Sequence, residues 1–229
     1  MIYGIGDLHF DYSKSKPMDI FGDNWVEHEE QIINNWKDIV KDEDLVLIPG
    51  DISWALKLNE AYDDLKRVDK LPGKKILSKG NHDYWWQSLK KINDLGLKSL
   101  YFIQNTSYIY DNISISGTRG WSSRDSNDFD ESDEKVFRRE LLRLEMSLNN
   151  IKEEVDTKIV MLHYPPFNNN REPNEFVELM KEQDVDICVY GHLHAEGHKH
   201  IVEGNISDID FYCISSDYIK FIPKLIIGE

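Results

Sequence analysis

Gly80-Asn81-His82-Asp83 follows the strand-like run Lys75-Ile76-Leu77-Ser78-Lys79. A glycine, an amide, an imidazole and a carboxylate in consecutive positions after such a run read as a strand end that turns sharply and aims polar groups outward. Alone, the tetrad is also an ordinary turn. Its weight comes from four similar stretches. Asp7-Leu8-His9 follows Ile2-Tyr3-Gly4-Ile5-Gly6, and Gly50-Asp51 follows Leu45-Val46-Leu47-Ile48. His163 follows Lys158-Ile159-Val160-Met161-Leu162, and Gly191-His192-Leu193-His194 follows Asp186-Ile187-Cys188-Val189-Tyr190.

Between these stretches the periodicity predicts helices over about 25–41, with Asn24 as N-cap, and over 57–70 and 84–94. Strand, polar turn and helix therefore recur three times, which is an α/β pattern. Ligands in such sheets bind at the carboxyl ends of strands, so a parallel or mixed sheet would set these turns side by side. The middle changes character. Short β-prone runs fill 99–118, with a tight hairpin at Asp111-Asn112, and an acidic loop leads into an amphipathic helix over about 132–154. The acids at 130–134 suit the positive end of that helix dipole and read as a solvated helix start. A helix fits 174–183, and β-prone runs at 199–203, 206–214 and 218–222 close the chain.

Bulk properties narrow the classes. The chain has 229 residues, which suits one domain spanning 1–229. A net charge of −15 repels phosphate backbones and argues against nucleic acid unless a metal supplies positive charge locally. Cys188 and Cys213 sit in apolar runs and read as buried thiols. No apolar run approaches the ~20 residues of a membrane span. The first strand begins at Ile2, which leaves no room for a cleavable leader, so a cytoplasmic protein is expected.

Asp and His are the usual N/O ligands of borderline divalent metals, and no cysteine joins them. The donors exceed what one ion needs, whereas two ions about 3.5–4 Å apart would use them all. Singly, each stretch has a plainer alternative. Asp83 could cap the next helix, His163 could be a satisfied core histidine, and His192 and His194 could be surface residues. Together, five apolar strands each followed by Asp or His are hard to assign to independent turns.

In this order, Asp-x-His, Gly-Asp, Gly-Asn-His-Asp, a lone His and Gly-His-x-His resemble the calcineurin-like metallophosphoesterases. The resemblance implies two packed mixed β-sheets flanked by helices, a four-layer sandwich. It implies two divalent ions, manganese first, with iron, zinc, cobalt or nickel as alternatives. One ion would be held by Asp7, His9, Asp51 and His194, and the other by Asp51, Asn81, His163 and His192, with Asp51 bridging. It further implies in-line attack by a metal-bridging hydroxide on a phosphate mono- or diester. His82, as imidazolium, would assist the leaving group, and Asp83 would orient it and raise its pKa. After Gly50-Asp51 the chain reads Ile52-Ser53-Trp54, without the Asp-Arg pair expected of protein phosphatases, so a small phosphorylated substrate fits better. Arg119, in a turn between glycines, and Trp54 are candidates for substrate contact. A non-catalytic scaffold of the same fold and a nuclease are the competing readings.

Overall fold

The computed structural model describes residues 1–228. Two sheets pack face to face. The first has the order β11-β1-β2-β3-β4, formed by β1 (Ile2–Gly4), β2 (Leu45–Pro49), β3 (Lys74–Ser78), β4 (Leu100–Phe102) and β11 (Lys224–Ile227). Strands β1 to β4 run parallel and β11 pairs antiparallel to β1. The second sheet has the order β5-β6-β7-β8-β10-β9. It comprises β5 (Tyr108–Tyr110), β6 (Ile113–Thr118), β7 (Thr157–Leu162), β8 (Ile187–Tyr190), β9 (Gly204–Ile206) and β10 (Ile209–Cys213). Its central strands are parallel and its two edge strands antiparallel.

The parallel strands are buried on both faces and so read as continuous apolar runs. Ile2, Leu45, Leu47, Ile76, Ile159, Met161 and Val189 fill the space between the sheets. The outer face of the first sheet packs on α1 (His28–Ile39) and α2 (Leu58–Asp69) through Ile32, Trp36, Leu65 and Val68. The outer face of the second packs on α4 (Glu131–Leu148) and α5 (Glu175–Glu182) through Phe137, Leu144, Phe176 and Met180. These four layers are the α/β architecture anticipated from the motifs. Among the described residues no helix is long and apolar enough to cross a membrane.

Several boundaries differ from the periodicity, each for a local reason. The first helix starts at His28 rather than 25, because Glu27 is left-handed (φ 54°) and a 3-10 turn occupies Asp23–Trp25. The helix expected over 84–94 shrinks to α3 (Leu89–Asn93). The indole of Trp85 donates to Asp83 and that of Trp86 to Gln104, which holds residues 84–86 in an irregular turn. The acidic run before α4 forms a capping box, with Asp130 and Asp133 each accepting the other's backbone N–H. Residues 199–203 and 218–222 are not strands. The first falls partly in a 3-10 turn, Ala195–His200, and the second turns back through left-handed Lys220 and Phe221. The closing strand, β11, lies beyond the runs predicted.

Candidate metal centre

The carboxyl ends of β1, β2, β3, β7 and β8 converge where the two sheets meet. They bring Asp7, His9, Asp51, Asn81, His163, His192 and His194 into one cluster. Asp7, His9 and His194 each offer a ligand atom within 4.8 Å of the others, and so do Asp7, Asp51 and His163. Asp51 Oδ2 lies 3.7 Å from His9 Nε2 and 3.5 Å from His163 Nε2. Asn81 Oδ1 is 2.5 Å from His163 Nε2 and 3.1 Å from His192 Nδ1. His194 Nε2 is 3.5 Å from Asp7 Oδ1.

Backbone strain concentrates here. Asp7 (φ 56°), His9 (48°), Asp51 (53°) and His192 (73°) all occupy the left-handed region, which side chains rarely adopt. Such residues cost roughly 1–3 kcal/mol each and persist only where the surroundings over-determine them. The surroundings do so through carboxylates that accept backbone N–H groups of a different block. Asp7 accepts from His192 N at 3.0 and 3.2 Å, and Asp51 accepts from His82 N at 2.8 Å. Two glycines permit the approach. A Cβ on Gly80 would stand 2.1 Å from Asp51 Oδ1, and one on Gly191 would stand 2.5 Å from Asp7 Oδ2.

The donor chemistry fits divalent ions. His163 Nδ1 sits 3.0 Å from the Pro49 carbonyl, which can only accept, so in the neutral ring Nδ1 carries the hydrogen and Nε2 presents a lone pair. That lone pair faces Asn81 Oδ1 and Asp51 Oδ2, which are themselves acceptors. His194 Nδ1 lies 2.8 Å from Asp217 Oδ1, which leaves Nε2 buried beside Asp7 without a hydrogen-bond partner among the described residues. With these groups unprotonated, acceptors crowd against acceptors, which a cation, either a proton or a metal ion, relieves.

Charge follows this crowding. Burial, His194 and other charges push His9 well down, while burial and His163 push His192 down to about 3. Burial and the Asp7 charge push Asp51 up to about 8. Burial works against the His194 cation, but Asp7 and the bond to Asp217 outweigh it and push His194 up to about 10.

Asp83 departs from its expected task. Its carboxylate is fully buried and accepts Gly80 N (2.8 Å), Asp51 N (2.9 Å), Ile52 N (2.9 Å), Ser53 N (3.3 Å) and Trp85 Nε1 (3.0 Å). It ties the loop after β2 to the loop after β3 and makes no hydrogen bond to the His82 ring. Nor does it raise His82, whose pKa is lowered, by burial first and then by His163. The His82 ring instead packs on Trp54, with centroids 4.4 Å apart, and Trp54 stacks on His9 at 4.8 Å. Arg119 lies outside the ligand cluster, with its guanidinium 4.3 Å from the Trp121 ring and 3.5 Å from Glu140.

Two neighbours of the cluster have no counterpart in the sequence reading. Asp217 holds the ring of His194 and accepts Ala195 N at 3.1 Å. It follows the apolar run Phe211–Ile214 as Ser215-Ser216-Asp217, the same strand-then-polar signal as the other blocks. Tyr164 packs at a tilt on His192, with centroids 4.0 Å apart. A cavity of about 120 Å³, walled by Trp121, Ser122, Tyr164 and Asn168, opens beside His192.

A two-sheet α/β sandwich with Asp, Asn and His gathered at its strand ends defines a candidate metal-binding α/β architecture. The calcineurin-like phosphoesterase family model matches residues 1–196, and the chain belongs to that family, whose chemistry is metal-dependent phosphoester hydrolysis. An uncharacterized protein, MJ1445 of Methanocaldococcus jannaschii, is 29% identical over 102 residues, covering 42% of this chain and 54% of the relative, so the match spans about half the relative's length. Among solved structures, a protein of unknown function from Aquifex aeolicus matches with a TM-score of 0.52 at 19% identity, over 98% of this chain and 94% of that one. A phosphopantetheinyl hydrolase from Mycobacterium tuberculosis matches with a TM-score of 0.57 at 11% identity, over 93% and 88%. Both likenesses concern the fold.

Proposed function

We propose that this chain hydrolyses phosphate mono- or diesters of a small molecule, using two divalent ions held at the strand ends. His9, His194, Asp7 and Asp51 would hold one, and Asp51, Asn81, His163 and His192 the other. The observation that carries the reading is the position of Asp51 Oδ2, between His9 Nε2 at 3.7 Å and His163 Nε2 at 3.5 Å. That placement supports a bridging carboxylate. Manganese is the first choice, and iron, zinc, cobalt and nickel suit the same N/O donors. When bound, the ions supply Lewis acidity that lowers the pKa of water and offsets phosphoryl charge.

The chain's own groups do the rest. His82 is half-buried beside the proposed ligands, and in this reading it does not bind metal. Burial, then the neighbouring His163, lower the pKa of its ring. A phosphoryl anion beside it would raise its pKa, so the proton needed by the leaving oxygen would arrive with the substrate. Trp54 packs against the ring, and Asp83 fixes the loop that carries it. The complete donor set favours catalysis over a scaffold. The test is hydrolysis of aryl phosphate mono- and diesters with added Mn²⁺, repeated with Asp51→Asn. Loss of turnover in the variant is expected, and undiminished activity would remove Asp51 from the bridging position.

A further inference from the structure

Beside the ligand cluster, at the carboxyl ends of β3 and β6 and against α4, lies a cavity of about 230 Å³. Lys79, Arg119, Arg139 and Arg143 line it, together with Thr118 and a single carboxylate, Glu140. Glu140 is 1% exposed. Its Oε2 accepts from Thr118 Oγ1 at 2.6 Å, and its Oε1 serves three guanidiniums, Arg143 at 2.7 Å, Arg119 at 3.5 Å and Arg139 at 3.7 Å. One carboxylate therefore faces four cations, in a protein whose net charge is −15. Arg119 Nε is buried and has no hydrogen-bond partner among the described residues.

The cavity's place in the fold relates it to the cluster. The ligands stand on β1, β2 and β3 of one sheet and on β7 and β8 of the other. The cavity lies over β3 and its neighbour β4, and over β6, the neighbour of β7. Strands lie about 4.8 Å apart, so the cavity is displaced from the ligands by roughly 5–10 Å. Two of its residues are built into the cluster's own backbone. Lys79 directly precedes the Gly80 tetrad, and the Arg119 carbonyl accepts His163 N at 3.0 Å and Tyr164 N at 2.9 Å.

We propose that this cavity is a subsite for a second anionic group, phosphate or carboxylate, of the substrate whose scissile phosphoryl lies at the ligand cluster. The assignment rests on the phosphoesterase reading and narrows it to small esters carrying two anionic centres roughly one or two strand spacings apart. Guanidiniums suit this task because their planar fork can meet two oxyanion oxygens at once. Binding energy gathered at this remote group can be used to position the scissile one.

The test has two arms and uses the full chain with Arg139→Gln, Arg143→Gln and both together. Arg139 is 52% exposed, so its replacement leaves the core intact. In the first arm, inorganic phosphate is titrated calorimetrically into chelator-treated protein. The double variant is expected to bind about tenfold more weakly or worse, since charged hydrogen bonds are lost. In the second arm, Mn²⁺-loaded protein is assayed on phenyl phosphate and on propanediol bisphosphate. The ratio of kcat/KM for the bisphosphate over the aryl ester is expected to fall about tenfold in the double variant, through KM. Wild-type phosphate affinity together with a wild-type ratio would overturn the proposal and leave a solvated cationic patch. Weakened phosphate binding with an unchanged ratio would make the cavity a site for the free ion and overturn its assignment to the substrate. Failure to hydrolyse either ester with any ion, while phosphate binding still depends on the two arginines, would overturn the substrate role together with the phosphoesterase reading and leave an anion site.

Discussion

Asp83→Asn separates two roles for the residue that closes the Gly80 tetrad. In the structure, Asp83 Oδ2 accepts Gly80 N and Asp51 N, while Oδ1 accepts Ile52 N, Ser53 N and the Trp85 indole. All five partners are donors, so neither position suits an amide nitrogen. The less costly placement puts the NH₂ where Oδ2 was, which leaves two buried backbone donors facing a third. Each orphaned donor costs about 1–3 kcal/mol, so the expected loss is about 2–6 kcal/mol. Against the roughly 5–15 kcal/mol typical of a domain, that is a large fraction of total stability. Because the same carboxylate joins the loops carrying Asp51 and Asn81, metal content should fall with stability. The assay is urea unfolding followed by circular dichroism, with metal analysis of the purified variant. If Asp83 served only to orient His82, the substitution would leave stability within about 0.5 kcal/mol, as for a change that breaks no buried hydrogen bond, and would alter only the pH profile. Unfolding at the wild-type midpoint with full metal content would refute the loop-clamp role.

His82→Ala should keep its metals and lose about 10²–10⁴-fold in kcat, most severely for alkyl phosphates, whose leaving group needs a proton; loss of metal instead would make His82 a ligand. His194 is pushed up to about 10 in the metal-free protein, so its stabilising charge is fully present below the unfolded value near 6.5 and lost as pH rises through about 10. Since a metal must displace that proton, and below about pH 8 the Asp51 proton as well, Mn²⁺ affinity should rise about tenfold per pH unit between pH 8 and 9 and more steeply below 8, read by titration in matched buffers, and Asp217→Asn should flatten the slope above pH 8. A slope already flat in the wild type would contradict the Asp7–His194–Asp217 arrangement. Gly80→Ala, whose Cβ would stand 2.3 Å from Asp51 N, should lower the melting temperature and metal content together, whereas Gly204→Ala, with nothing within 4 Å of its Cβ, should leave metal content unchanged.

Much of the candidate site was legible because its signal is short-range. A buried parallel strand is a run of apolar residues, and the polar residue following it sits at the sheet's carboxyl edge whichever partner that strand finds. Asp7, Asp51, Asn81, His163 and His192 could therefore be placed at strand ends before any pairing was known. The hairpin at Asp111-Asn112 and the acid-capped start of α4 were readable on the same terms, since turn and cap chemistry spans only a few residues.

What the sequence could not determine depends on partners far along the chain. The closing strand Lys224–Ile227 alternates only weakly and owes its form to antiparallel pairing with β1, more than two hundred residues earlier. Residues 218–222 look β-prone, yet Phe221 turns left-handed so that its carbonyl can accept from Asn35. Asp217 gains its meaning only when β10 docks beside β8 and brings it to His194. The Gly80-Asn81-His82-Asp83 tetrad divides along the same line. Its residue types and its place after β3 marked it as a site from the sequence alone. That Asp83 braces the loops was decided by the fold, because the five donors that claim its carboxylate converge on it only when the loops after β2 and β3 lie side by side.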